Sequence, residues 1–397
     1  MFSNLNKKRV NKRYVPKLRF KGFEREYKEI KISNVSKFYK GDGYSKKDII
    51  DNGKYEVILY GDLFTTYKNN IEEIKYKTNR IGNKKTRNNS ILFPGSSTSL
   101  NDFFPCCSIK KEVFAGSDLN IFELNINEDS LYYSYCFSKP YHLKNIFRLT
   151  EGSTINHLYG KYIAEYKLIV PVQLIEQEEI SSFFNLLDKQ ISLLENKLKL
   201  TEQMKKYYLF SCFSQKPNLR FKEFINKYRS SKISELFTIT RGFVLSKQNI
   251  TSDGLFPVYS SQTLNNGLLG FYDKFLYEDS ITWTTDGANA GTINFRKGKF
   301  YCTNVCGVLL KDKATPSLYF ANILSLVSKK YVSYGLGNPK LMNNTMSNII
   351  INYSDNINEQ LKLSEFIEKI DFYILNIKNK VQKIKERKRF YLNNLFI

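Results

Sequence analysis

The stretch Pro16-Lys-Leu-Arg-Phe-Lys21 returns as Pro217-Asn-Leu-Arg-Phe-Lys222, 201 positions later. The same offset joins Ile32-Ser33 to Ile233-Ser234, Gly41 to Gly242, Ser45-Lys46 to Ser246-Lys247, Ile49 to Ile250 and Gly53 to Gly254. Matching then resumes at an offset of 183, with Gly152 and Gly335, Leu158 and Leu341, Glu176-Gln177 and Glu359-Gln360, and Asp188 and Asp371. The change of offset places 18 additional residues inside the first copy. A repeat of this size means one structural plan used twice. Each copy reads as a variable globular part followed by a constant tail.

The tails carry the plainest periodicity. Apolar residues run Ile180, Phe184, Leu187, Ile191, Leu194, Leu198 in the first, and Leu363, Ile367, Ile370, Ile374, Ile377, Val381, Ile384 in the second. Spacings of four and three make a heptad seam, the pattern of helices that pack on one another. The other faces hold Glu195, Lys197, Lys199 and Glu202, or Glu368, Lys378, Lys380 and Lys383, as a solvated surface requires. Acidic residues suit the helix start near Glu176 or Glu359, and basic and aromatic residues close it, Lys205-Lys206-Tyr207-Tyr208 or Lys388-Arg389-Phe390-Tyr391. A helix of about 38 residues is about 57 Å long. Two related seams in one chain favour pairing about a pseudo-two-fold axis, which makes the helices antiparallel. The competing arrangement lays each helix on its own globular part.

Those globular parts alternate strand-like runs with Gly, Asn, Asp and Ser turns: Tyr55-Glu-Val-Ile-Leu-Tyr60, Ser90-Ile-Leu-Phe93, Phe256-Pro-Val-Tyr259, Ser280-Ile-Thr-Trp283 and Gly307-Val-Leu-Leu310. Helical stretches are expected at 130–138 and 317–328. The fold class is therefore α+β (mixed α/β): two pseudo-symmetric globular domains separated by two long antiparallel coiled-coil helices. The expected segments are a basic N-terminal tail at 1–15, a first globular domain at 16–170, a central helical spacer at 171–216, a second globular domain at 217–352 and a C-terminal helical spacer at 353–397.

Composition bounds the function. The chain has 397 residues, 42% hydrophobic and 15% aromatic, enough for a folded core. Its 61 Lys and Arg against 38 Asp and Glu give a net charge of +23, which points to a polyanionic partner such as nucleic acid. Part of that excess is compositional, since Lys, Asn, Ile, Tyr and Phe are all abundant. Its distribution says more: residues 1–216 carry +12 and residues 217–397 carry +11. A basic tail is at most Lys7, Lys8, Arg9, Lys12 and Arg13. No apolar run reaches the length of a membrane span and Met1–Val10 holds no apolar leader core, so a cytoplasmic protein is expected. Cys106, Cys107, Cys136, Cys212, Cys302 and Cys306 are irregularly spaced and read as reduced core thiols. Cys302 and Cys306 can face each other across a turn, but with His142 and His157 as the only histidines no zinc set forms, and no metal is expected.

Catalytic patterns are missing. There is no GxxxxGK loop for a nucleoside triphosphate; Gly160-Lys161 is followed by Tyr162. Asn338-Pro339-Lys340-Leu341 is a poor substitute for a methyltransferase motif. His157 aligns with Lys340 of the second copy, which favours a surface or phosphate role over that of a base. The acids Asp118 to Glu123 lack the lysine of a nuclease triad, and Cys106-Cys107 has no cation to activate a thiolate. A binding protein with no catalytic residues and no cofactor of its own is expected.

Loop chemistry suits DNA instead. Lys40 and the loop Gly41-Asp-Gly-Tyr-Ser-Lys-Lys47, with Tyr44, Ser45 and Lys46, match Arg241-Gly-Phe-Val-Leu-Ser-Lys247, with Ser246 and Lys247, in combining glycine, hydroxyls and cations. Gly95-Ser-Ser-Thr-Ser99, with Ser96, Ser97 and Thr98, and Trp283-Thr-Thr-Asp-Gly-Ala-Asn289, with Trp283, Thr284, Thr285 and Asn289, follow strands and are expected to expose short donors and acceptors for base edges. A polar turn without a partner is the competing reading of each loop alone.

In this order the chain resembles the specificity (S, HsdS) subunit of a type I restriction-modification system. The resemblance rests on the Pro-x-Leu-Arg-Phe lead-in at 16 and 217, a variable region, a Gly and Leu element at 152 and 335, then Glu-Gln and a long helix holding Phe183 and Asp188, or Phe366 and Asp371. It covers nearly the whole chain, and its specificity lies in the order occurring twice. It implies two target-recognition domains, each reading half of a split asymmetric double-stranded DNA site, and two packed helices that set the separation, about one turn or ~34 Å. It also implies two methyltransferase (M) subunits that bind S-adenosylmethionine, and restriction/translocase (R) subunits that use ATP and Mg; this chain itself would need no cofactor and no membrane. The second copy departs from the pattern with Ser354 where the first has Pro171. Two other readings make different predictions: an S-like recognition component of another modification enzyme, and a catalytically inert nucleic-acid-binding or scaffold protein that oligomerises through its coiled coil.

Overall fold

The computed structural model describes residues 14–98, 103–262, 264–335 and 337–397. The basic cluster Lys7 to Arg13 and Ser99 lie outside the described residues. The chain forms two compact units, one of Met1–Glu195 with Asn379–Ile397 and one of Asn196–Lys378. Their limits fall inside the two long helices, Leu174–Phe213 and Ile357–Leu395, so each unit contains a segment of both. The helix starts stand 183 positions apart, so the replacement of Pro171 by Ser354 leaves the start in register.

In the first unit a five-stranded sheet runs in the spatial order Ser36–Lys40, Leu119–Leu124, Ser90–Pro94, Cys107–Ile109, Asn70–Ile71, antiparallel except for its last pair. Helix Ser130–Phe137 packs on it, capped by Asp129, whose carboxylate accepts from the Leu131 and Tyr132 N–H groups. In the second unit a six-stranded sheet runs Phe237–Arg241, Cys306–Lys311, Tyr277–Thr284, Ile293–Cys302, Phe256–Tyr259, Leu268–Tyr272, with helix Leu318–Val327 against it. The shared frame is visible strand by strand. Lys28–Lys31 pairs with Lys167–Val170, and Arg229–Lys232 pairs with Ile350–Tyr353, in the same antiparallel register at the repeat offsets. Ser36–Lys40 and Phe237–Arg241 likewise occupy equivalent edge positions.

The heptad residues divide by burial. Ile180, Phe184, Ile191, Leu363, Ile367, Ile370, Ile374, Ile377 and Val381 are buried, whereas Leu187, Leu194 and Leu198 are half-buried. A two-helix seam leaves its flanks open to water, which accounts for the second group. Both expected packing modes coexist. Ile180 and Phe184 join the core of the first unit beside Tyr135, and Leu363 and Ile367 join that of the second, so each helix start lies on its own globular part. Further along, helix meets helix. In the first unit Phe183 meets Tyr391 edge-on, centroids 4.9 Å apart, and Lys388 Nζ donates to both Asp188 oxygens at 2.6 and 2.8 Å. In the second unit Phe366 meets Tyr208 at 5.0 Å, and Lys205 Nζ donates to Asp371 at 2.5 Å. Numbers rise on one helix as they fall on the other, so the segments are antiparallel within each unit. At the offset of 183 the two sets are one contact with its partners exchanged.

Candidate nucleic-acid interface

In the first unit the edge strand Ser36–Lys40 runs into a loop that ends in a short 3₁₀ turn, Lys46–Asp48. Ser45 caps the turn: its Oγ accepts from the Lys47 N–H at 3.4 Å, and Asp48 Oδ2 accepts from the Ser45 N–H at 2.8 Å. Backbone donation, first from Asn83 and then from Gly43, holds the Asp42 carboxyl below the usual carboxylate range. Arg80 clamps the loop, donating to the Gly43 carbonyl at 2.6 Å and to Asp48 at 3.2 Å while its guanidinium lies 4.8 Å over the Tyr44 ring. The result is a braced loop on which Lys40, Ser45 and Lys46 are exposed.

Strand Phe237–Arg241 of the second unit leads in the same way to a 3₁₀ turn, Lys247–Asn249. Arg241, Ser246 and Lys247 are exposed; Arg241 Nη2 reaches Thr285 Oγ1 at 3.4 Å, and Tyr277 Oη donates to the Arg241 carbonyl at 2.5 Å. The glycines that open both loops are required by close approach. A Cβ at Gly41 would collide with the Gly116 carbonyl, and one at Gly242 with the Cys302 and Thr303 carbonyls. The lining differs: the second loop exposes Phe243 and Val244 where the first has Asp42 and Gly43, and the first buries Tyr44 under Arg80.

Several expected contact residues lie inside the fold, contrary to the exposure expected of them. Trp283 is 1% exposed; its Nε1 donates to the Leu341 carbonyl at 2.9 Å and its ring occupies the space a side chain at Gly307 would need. Thr284 and Thr285 are buried beside it, and Thr285 Oγ1 is spent on the Val305 carbonyl at 3.0 Å. Ser96 and Ser97 form a short buried strand with Asn156–His157, and Ser96 Oγ binds Asp118. The physical reason is shared: these residues continue central strands, so their side chains point into sheet-to-loop packing rather than outward. Tyr44 is buried as well. Thr98 is exposed and Asn289 half-buried, with its amide reaching the Ser261 carbonyl at 3.5 Å.

One feature escaped the sequence reading. Arg296 is 7% exposed, its guanidinium 3.7 Å over the Tyr259 ring and its Nε donating to Thr282 Oγ1 at 3.2 Å, and burial pulls its pKa down. Among the described residues no carboxylate lies within ion-pair distance of it. In the first unit His157, expected in a surface or phosphate role, is exposed and stacks near Tyr159, and Lys161 Nζ sits 4.8 Å over the Tyr162 ring. The run Tyr159-Gly-Lys-Tyr162 was the signal available for that patch; nothing local marked Arg296. All six cysteines are buried and free, and among the described residues no group of three or more His, Cys, Asp or Glu could hold a metal ion. Among the same residues no helix is long and apolar enough to cross a membrane.

Comparison with known proteins bears on this arrangement. The family described as "Type I restriction modification DNA specificity domain" matches residues 24–203 and 226–386. A putative type I specificity subunit N-terminus from Mycoplasma pneumoniae is 42% identical over 130 residues, 32% of this chain and 69% of the relative. The type I restriction enzyme MpnII specificity subunit of the same organism is 29% identical over 176 residues, 43% of this chain, and the match spans about half of that relative, 53%. Among solved structures, the S subunit of a type I restriction-modification system from M. genitalium superposes with a TM-score of 0.69 at 17% identity, over 96% of this chain and 99% of that one. A chain from a study of complex assembly and conformational transition of the type I system gives 0.52 at 10% identity, over 92% and 96%. At such identities the likeness is one of fold.

Proposed function

The chain belongs to the type I restriction-modification DNA specificity family, and from that premise we propose that it reads a bipartite, asymmetric DNA site, one half-site per unit. One observation supports this most strongly. Equivalent edge strands carry equivalent exposed pairs, Ser45-Lys46 and Ser246-Lys247, on the same kind of 3₁₀ turn, while the surroundings of the two turns differ. Cations and hydroxyls on a braced loop suit phosphate contact, which positions a protein on DNA; the differing neighbours suit two different sequences. Lys40, Ser45, Lys46 and Thr98 in the first unit, and Arg241, Ser246, Lys247 and Asn289 in the second, are the proposed contact residues. Of the buried residues, Tyr44 braces the first loop under Arg80 and Thr285 accepts from Arg241 beside the second.

In this reading the chain contributes recognition, and chemistry comes from other chains: two methyltransferase subunits holding S-adenosylmethionine, and restriction/translocase subunits using ATP and Mg. The deciding experiment co-expresses the chain with a compatible methyltransferase subunit and maps methylated bases genome-wide. A split motif that vanishes when this chain is omitted is expected. Methylation unaffected by its omission, or self-association of the chain with DNA binding that has no sequence preference, overturns the reading.

A further inference from the structure

The helix pair carries two kinds of charged contact. Asp188 with Lys388 and Asp371 with Lys205 are the same contact seen from both copies: equivalent positions hold like residues, Asp with Asp and Lys with Lys. Such pairs are self-complementary and would hold any two copies of the helix together. Between them along the helices lie two others. In the first unit Glu195 meets Lys385 at 2.7 Å, and in the second Glu202 meets Lys378 at 2.9 Å. Here the repeat is broken. Glu195 is equivalent to Lys378, and Glu202 is equivalent to Lys385, so the sign at each position is reversed between copies. We propose that these sign-reversed pairs make the helices select unlike partners: the first helix accepts the second and rejects a copy of itself.

The consequence follows from the exchange of equivalent positions between the two contacts. A first helix paired with another first helix would set Glu195 against Glu202 twice, and a second with a second would set Lys378 against Lys385 twice. Unlike pairing turns all four repulsions into attractions. Each pair is half exposed, and Glu195 also has Lys68 at 3.8 Å, so no single one contributes much to stability. Selection is a difference between arrangements, and four sign changes accumulate in that difference where they would barely register in the fold itself. The apolar seam and the outer Asp–Lys pairs supply attraction without choice; the inner pairs supply the choice. This disfavours like-with-like helix pairing between neighbouring chains, the exchange that two copies of one plan would otherwise invite.

The test uses the intact chain carrying either of two tags, the two forms refolded together from denaturant, and reads how much of one tag is captured with the other. The variant E202K/K378E keeps both pairs within the chain opposite in sign but makes like-with-like pairing attractive too. Its melting temperature should stay near that of the parent while co-capture rises on the order of tenfold. E195K/K385E should behave the same way and serves if the first variant folds poorly. Reversing all four charges, E195K/E202K/K378E/K385E, restores rejection of like helices and should return co-capture to the parent level. Parent-level co-capture in both double variants overturns the proposal, and so does raised co-capture in the fourfold variant.

Discussion

The Arg19 guanidinium lies fork-to-fork on the Glu176 carboxylate, Nε to Oε1 at 2.7 Å and Nη2 to Oε2 at 2.8 Å, although 157 positions separate the two residues. Arg220 meets Glu359 in the same way at 2.6 and 2.7 Å. Each lead-in is thereby riveted to the first turn of its long helix, with the Tyr27 or Tyr228 hydroxyl donating to the same carboxylate. Burial, and then the charge of Glu359, pushes the Tyr228 phenol up to about 12. This contact explains why Leu-Arg-Phe and Glu-Gln recur together. Gln177 and Gln360 add the matching second hold, donating to the carbonyls of Pro171 and Ser354.

Removing one partner of such a buried pair leaves the other charge unpaid in the interior. R19A and R220A should each cost about 2–4 kcal/mol, less than a fully buried pair because both arginines touch solvent. Arg→Lys at either site should recover only part of that, since a single ammonium cannot fork. Guanidinium unfolding at neutral pH measures both.

His142 is buried with Nδ1 2.9 Å from Tyr166 Oη, and burial pulls its pKa down to about 4. Its folded pKa lies below the unfolded value of about 6.5, so below pH 6.5 the unfolded chain takes up a proton that the folded one refuses. Stability is therefore full above pH 6.5 and is lost as pH falls from there towards 4, by on the order of 3 kcal/mol. H142Q should flatten that part of the urea-stability profile; an unchanged slope would show that other groups set it.

Gly41 and Gly242 should tolerate no side chain. G41A and G242A each force a backbone carbonyl to move, and a loss of about 1–3 kcal/mol per site is expected in thermal unfolding. Gly61, which has open space around it, is the control: G61A should be near neutral.

Burial ranks substitutions along the seam. I374D places a carboxylate at a buried position of the second unit and should cost about 4 kcal/mol or more, whereas L194D, half-buried, should cost about 1–2 kcal/mol. Equal losses would mean that Leu194 is held more tightly than its exposure indicates.

On the proposed contact loops, K46A and K247A should weaken binding to every sequence and should each lower the slope of log affinity against log salt by about one. W283F should change stability and leave sequence preference intact, because the indole faces Leu341 and Gly307 rather than solvent. A shift in target preference with W283F would reassign that residue.

The repeat offsets and the heptad spacing together disclosed the twofold plan and the antiparallel helices, the charge pointed to a polyanionic partner, and the recognition role came from the family resemblance that the repeated order carries. These signals survive in one dimension because they are periodic or duplicated: a seam must recur every three or four residues, and a shared frame must repeat its ladder register. The candidate interface was less legible. Ser45-Lys46 and Ser246-Lys247 stand on the surface, but Trp283, Thr284, Thr285, Ser96 and Ser97, written in equally polar stretches, turn inward. Which side of a strand end faces water depends on the segments that fold back over it, here Asn156–His157 and Leu341, which lie about 60 residues further along the chain.

The sequence by itself determined that one plan is used twice and that its tails are packed helices, since local periodicity and duplication are properties of the chain. Only the tertiary structure decided that Arg19 belongs to Glu176, that Glu195 meets Lys385 while Glu202 meets Lys378, and that Arg296 lies over Tyr259. Those pairings join residues far apart in the chain, and their energies depend on distance and burial, which exist only once the segments have packed.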